Sequence, residues 1–202
     1  MKRSRLLFDA GWLRLVQVET SIRDRIVKWV YCSRKTELDV SRPDAVVIVP
    51  FVARAEGVRL IVTREYRVPL GDYEYGLPSG LVESGETVEL AAKRELAEET
   101  GYQVRRVFEC SPPSLVSSAG LSDETFQYCF VHAEEGEGQR LEATEDIEVL
   151  LLSLPELKAL CARGVFLSSR LWPLCHGYSL SGSFPALEAK GDQPVETEGG
   201  LA

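Results

Sequence analysis

The sequence predicts a mixed α/β layered domain, and three observations predict it. Runs of β-branched and aromatic residues fill the first sixty positions. A single long amphipathic segment then precedes further strand-like runs, and two helical stretches lie near the end. Strands flanking a central helix, with later helices, bury their apolar faces most simply as layers.

Taken in order, residues 12–18 (WLRLVQV) and 26–31 (IVKWVY) read as strands, because branched and aromatic side chains fit a pleated, half-buried surface. Residues 45–52 (AVVIVPFV) form a near-continuous apolar run, as in a strand buried on both faces. Glu56-Gly57 makes a turn and residues 58–62 return as the hairpin partner. From Val68 to Gly80 the chain reads as loop, broken by Pro69, Gly71, Gly76, Pro78 and Gly80. A helix is expected at 87–100 and strands at 104–110, 125–132 and 147–152. Helices follow at 155–163 and around 167–176, the second interrupted or kinked at Pro173. From about Ser181 the composition turns to Gly, Ser, Pro and Glu without periodicity, which predicts a flexible tail over 181–202.

Composition narrows the function. A net charge of −8 argues against general nucleic-acid binding, which leaves a basic footprint, but not against a small phosphorylated ligand. No apolar run reaches the eighteen residues of a membrane span. The basic start, Met1 to Arg5, meets Asp9 before any signal-peptide core develops, so a cytoplasmic location is expected. The five cysteines are odd in number and none sits at CxxC spacing, which favours buried free thiols over zinc ligands or disulfides. His132 and His176 lie far apart and take no assigned role.

The helix over 87–100 (TVELAAKRELAEET) carries ordinary end signals: Thr87 as N-cap, Glu89 in the first turn, Gly101 just past the end. Its charge placement is unusual. At about 100° per residue from Val88, Ala91, Ala92 and Leu96 lie on the apolar face, Glu95 and Glu99 fall within about 20° of its centre, and Glu98 lies about 80° away. A solvated acidic helix end is the plain alternative. Carboxylates buried without partners would cost several kcal/mol each, roughly, so a compensating cation is expected. Mg²⁺ or Mn²⁺ suits carboxylate oxygens and keeps positions open for phosphate.

Residues 80–102 (GLVESGETVELAAKRELAEETGY) resemble the Nudix box: G, five residues, E, seven residues, then R-E-U-x-E-E-x-G-U, with Tyr102 in the last apolar position. The resemblance implies the Nudix fold, a mixed β-sheet sandwiched between helices, over about 43–180, with residues 1–42 as an N-terminal antiparallel β extension and dimerisation element. It implies divalent metal, Mg²⁺ or Mn²⁺, bound by Glu95, Glu98 and Glu99, with the carbonyl of Ser79 as a further ligand. Arg94 and Glu86 match a bracing pair, Gly80 a position where backbone approaches the metal, and Gly101 the helix stop.

Outside the box, three stretches resemble the ADP-ribose and nucleoside diphosphate sugar pyrophosphatase branch. Residues 64–69 (REYRVP) are similar to its Q-x-R-x-P, which implies that Arg67 contacts a substrate phosphate; a surface salt bridge is the alternative. Residues 75–80 (YGLPSG) resemble E-x-P-A-G, and 115–124 (LVSSAGLSDE) resemble S-P-G-x-x-x-E. Within 143–149 (ATEDIEV), Glu145 matches a glutamate that binds metal or orients water, and Glu124 is a weaker substrate-binding candidate; both read equally as loop carboxylates. Trp12 and Trp29 are candidates for stacking a nucleobase, with core or interface packing as the alternative. Two positions depart from the branch: Ala119 where proline is common, and Gly76 where glutamate is common.

The expected activity is hydrolysis of ADP-ribose or a related nucleoside diphosphate sugar to a nucleoside monophosphate and a sugar phosphate, by a homodimer. A Nudix pyrophosphatase for dinucleotides or nucleoside triphosphates is the first alternative. A non-catalytic metabolite sensor is the second, against which the full set of glutamates argues.

Overall fold

The computed structural model describes residues 3–35, 42–113 and 115–187, so most of the expected tail, residues 188–202, lies outside the described residues. Three strands, β1 (Arg3–Asp9), β2 (Arg14–Ile22) and β3 (Arg25–Ser33), form a separate antiparallel sheet in that order. The extension begins with a strand that residue patterning alone does not announce. β1 is exposed along its whole length, so no buried face imposes alternation on it.

The main sheet has nine strands of mixed orientation. β4 (Ala45–Arg54) is its centre, apolar from Ala45 to Ala53 because β10 (Thr125–Glu135) runs parallel along one edge and both faces are covered. β5 (Gly57–Arg67) returns from β4 as a hairpin, pairing Phe51 with Leu60 and Arg54 with Gly57. Beyond Leu60 the hairpin splays. β7 (Ser79–Leu81) takes the vacated edge of β4 and β6 (Asp72–Gly76) that of β5. The segment expected as loop therefore contains two short strands. β11 (Ile147–Leu152) closes the other edge of β5, β8 (Tyr102–Cys110) pairs with β10, and the short β9 (Leu115–Val116) and β12 (Phe166–Leu167) complete the sheet.

Helices cover both faces. α1 (Val88–Thr100) packs Ala91, Ala92 and Leu96 on Val46, Ile48, Ile61 and Val131. On the opposite face α2 (Leu154–Cys161) and α3 (Leu171–Ser181) pack Leu157 and Leu171 on Val47, Phe51, Leu60 and Val62. Alternation along β5 thus sends odd-numbered side chains towards α1 and even-numbered ones towards α2 and α3. α3 starts later than expected and is not broken at Pro173, which sits in its first turn, where a missing N–H removes no intrahelical bond. The chain also stays packed past Ser181: Phe184 is buried against Phe51 and Tyr178. All five cysteines are free, Cys129 and Cys175 buried and the others partly so.

Candidate active site

α1 is held at both ends. Thr87 Oγ accepts from the N–H of Leu90 at 3.2 Å. Gly101, at φ 74°, donates its N–H to Ala97 O at 3.0 Å. That left-handed φ favours glycine, and a Cβ there would also press on the Gly138 backbone at 2.6 Å. So fixed, the helix presents Glu99 on its packed face, 5% exposed, with Glu95 beside it and Glu98 further out.

Arg94 organises the loop in front of the helix. Its Nε and Nη2 donate to both oxygens of Glu86 at 3.1 and 3.0 Å, and Nη2 also reaches Leu81 O at 2.9 Å. Nη1 donates to Glu95 at 2.6 Å and to Glu98 at 3.4 Å. The bidentate fork holds the Glu86 carboxyl below the usual carboxylate range. Gly80 passes so close that a Cβ there would overlap the Glu95 carboxylate.

Glu99 is electrostatically the most perturbed group at the site. Burial first, then Glu95 and Glu65, push its carboxyl up to about 9, with Glu145 adding to the effect against one favourable bond from Ser79 N–H at 3.1 Å. Burial likewise raises Glu95, with Glu98 and Glu145 pushing the same way and Arg94 opposing. Hard oxygen donors crowded at this density, with no ion pair at Glu99 among the described residues, fit a divalent cation. Among the described residues no three acidic, imidazole or thiol groups converge to ligand geometry, since Arg94 draws Glu95 and Glu98 aside. Ser79, Gly80, Glu95, Glu98 and Glu145 line a cavity of about 430 Å³, together with Arg140.

The outer residues divide. Glu145 joins the acidic cavity, its carboxylate accepting from Glu142 N–H at 2.8 Å. Arg67 stands clamped between Glu65 at 2.5 Å and Glu74 at 3.2 Å. Glu124 does not line the acidic cavity; it bridges Arg34 at 3.2 Å and Arg170 at 3.6 Å, tying the N-terminal extension to the core. Trp12 and Trp29 are 64% and 51% exposed, so neither packs into the core. Arg34 lies over the Trp12 ring, 5.2 Å from its centroid, and Trp29 donates its indole N–H to Gly120 O at 3.2 Å. Arg14, Arg34, Lys35 and Arg42 line a second cavity of about 590 Å³, which meets the acidic one at Leu81.

Sequence reasoning passed over Glu65, Gln139 and Arg140. Glu65 sits inside the same short motif as Arg67, and strand alternation would have placed both on one face. Gln139 joins Glu99 O at 2.7 Å to Ile147 O at 3.0 Å, a contact between segments far apart in sequence that leaves no local signal.

Residues 41–169 match the model of the NUDIX domain. The putative nudix hydrolase 2 of Caenorhabditis elegans is 31% identical over 163 residues, covering 76% of this chain and 72% of that protein. The ADP-sugar pyrophosphatase of Mus musculus is 42% identical over 83 residues, 41% of this chain and 37% of that protein. Among solved structures, an ADP compounds hydrolase superposes with a TM-score of 0.61 at 20% identity, covering 90% of this chain and 95% of the other, a likeness of fold.

Proposed function

The chain belongs to the Nudix hydrolase family, and from that premise we propose that it uses divalent metal to hydrolyse ADP-ribose or a related nucleoside diphosphate sugar. The products are a nucleoside monophosphate and a sugar phosphate. The observation that carries the proposal is the buried Glu99, raised first by burial and then by Glu95 and Glu65, with Glu95 lining an acidic cavity that shares Leu81 with one lined by arginines and a lysine.

Glu95, Glu98 and Glu99, with the backbone at Ser79, are the residues that would hold Mg²⁺ or Mn²⁺. When bound, such an ion neutralises diphosphate charge and makes water a competent nucleophile. The chain does the rest by placement. Arg94 and Glu86 keep the loop at the distance Gly80 permits. Glu145 lines the same cavity and accepts the proton of the attacking water as a P–O bond to it forms; the bridging P–O bond breaks and its electron pair leaves with the monophosphate. Arg67 and the cation-lined cavity supply positive charge for substrate phosphates, and Trp12, presented on the guanidinium of Arg34, offers a face for the nucleobase. Glu124 acts by bracing Arg34.

We assign residues 1–42 to an extension that pairs two copies, supported by exposed Leu6, Phe8, Ile26 and Trp29 on its sheet, and residues 43–180 to the catalytic domain.

The test is a panel of ADP-ribose, nucleoside diphosphate sugars, dinucleotides and nucleoside triphosphates with Mg²⁺ or Mn²⁺. ADP-ribose or a nucleoside diphosphate sugar is expected to turn over fastest. Glu99→Gln should lower kcat by about three orders of magnitude while leaving circular dichroism unchanged. Full activity in that variant would remove the metal assignment. Tight binding of ADP-ribose without cleavage by the wild type would establish a sensor instead.

A further inference from the structure

Alternation along β5 puts Ile61, Thr63, Glu65 and Arg67 on the face turned towards α1. Ile61 and Thr63 are buried, Glu65 is largely buried and Arg67 stands at the rim. Glu65 lies opposite Ile147 on β11, and Gln139 ties Ile147 to the backbone of Glu99. Its other strand partner is Glu74 on β6. Like charges directly opposite on neighbouring strands are unfavourable, and here Arg67 bonds to both. Burial raises the Glu65 carboxyl, Arg67 opposes that and Glu145 and Glu74 add to it, and Glu65 acts in turn on Glu99. It therefore stands between the acid cluster of α1 and the arginine at the substrate rim.

We propose that Glu65 is a metal-binding carboxylate of this chain, which grips Arg67 in the metal-free protein and releases it to a substrate phosphate when the ion binds. The proposal rests on the metal-dependent reading above. Arg67 is held through Glu65 Oε1 at 2.5 Å by the negative charge of that carboxylate, and an ion on the same carboxylate would neutralise the charge that holds the guanidinium. Taking up the ion therefore frees a guanidinium for phosphate, while Glu74 keeps hold of its Nε. Gly76, with no side chain, leaves room on this face: a Cβ there would meet Ser168 and Thr63 only at 3.5 and 3.9 Å.

The experiment is calorimetric titration of Mn²⁺, without substrate, into the wild type, Glu65→Gln, Glu74→Gln and Arg67→Met. Glu65→Gln is expected to bind Mn²⁺ about tenfold more weakly, and Glu74→Gln as tightly as the wild type. Arg67→Met should bind it more tightly, because the competitor is gone. Thermal melts of the metal-free proteins accompany the titration. Glu65→Gln should melt at or above the wild type, since a desolvated charge is removed. Unchanged Mn²⁺ affinity in Glu65→Gln overturns the proposal, as does an equal loss in Glu65→Gln and Glu74→Gln, which would mark both as mere braces of Arg67. If Glu65→Gln fails to fold, Arg67→Met decides alone, and unchanged or weaker affinity there overturns it. A wild type that takes up no Mn²⁺ would remove the metal-dependent reading itself, an outcome distinct from tight wild-type binding with Glu65→Gln unaffected.

Discussion

Gly80 faces Glu95 across a gap with no room for a methyl group. Gly80→Ala must move the Glu95 carboxylate or the loop, and both change the acidic cavity. A Mn²⁺ titration is expected to show at least tenfold weaker binding, roughly what disturbing a ligand's support costs elsewhere. Circular dichroism should not change, because Gly80 is not in the left-handed region. Wild-type affinity in that variant would mean that Glu95 has a free alternative position. At this scale the sequence was informative wherever a local period exists. A wheel drawn on 88–100 placed Glu95 and Glu99 among Ala91, Ala92 and Leu96, and the structure buries Glu99 there and leaves Glu95 partly buried. Glu65 was legible in principle from strand alternation, but only with the extent of β5, which reaches Arg67 rather than stopping near Val62. Arg67 was placed at the substrate side by resemblance. Its clamp between Glu65 and Glu74 depends on the pairing of β5 with β6, which a stretch punctuated by glycine and proline does not disclose.

Among the elements, α1 depends most on how it stops. Gly101→Ala forces a Cβ into a left-handed residue and against Gly138, and should destabilise the protein by roughly 2–4 kcal/mol, read as a lowered midpoint in urea. A midpoint within experimental error of the wild type would show that the 136–140 loop yields. The ends of α1, the central strands and the hairpin turn at Gly57 were readable because caps, apolar runs and turn residues act locally. β1, β6 and β7 were not. The first is exposed throughout, and the other two owe their existence to the splaying of β4 from β5 beyond Leu60. Pro173 shows the same limit: its consequence depends on whether it falls inside a helix or in its first turn, and the start of α3 is fixed by packing of Leu171.

For the whole molecule, acid crowding sets a pH dependence of stability. The Glu99 carboxyl titrates at about 9 in the folded chain and at about 4.3 when unfolded, so between these values the native state holds the extra proton. Stability of the metal-free protein therefore falls as pH rises through that window. With EDTA, the melting temperature should decline from about pH 5 towards pH 9, and Glu99→Gln should flatten the decline. Saturating Mn²⁺ should reverse it by stabilising the ionised form. A flat profile for the metal-free wild type would contradict the buried charge. Sedimentation equilibrium at micromolar concentration is expected to give the mass of two chains, and Ile26→Lys with Trp29→Lys to halve it; a wild type at one chain's mass would reject pairing through the extension. The splayed hairpin carries a consequence for how such a molecule can be altered. Ser79 and Gly80 ride on the branch held by β4, whereas Asp72 to Gly76 ride on the branch held by β5. Between the branches run only Leu77 and Pro78, so a change of length in the turn at 68–71 acts first on Glu65, Arg67 and Glu74 of the β5 branch and reaches Ser79 and Gly80 only through that short link. A library of replacements in that turn is expected to shift substrate preference while the carboxylates of α1 stay in place, and a Mn²⁺ affinity that moves along with it would trace part of the ion's hold to the β5 branch.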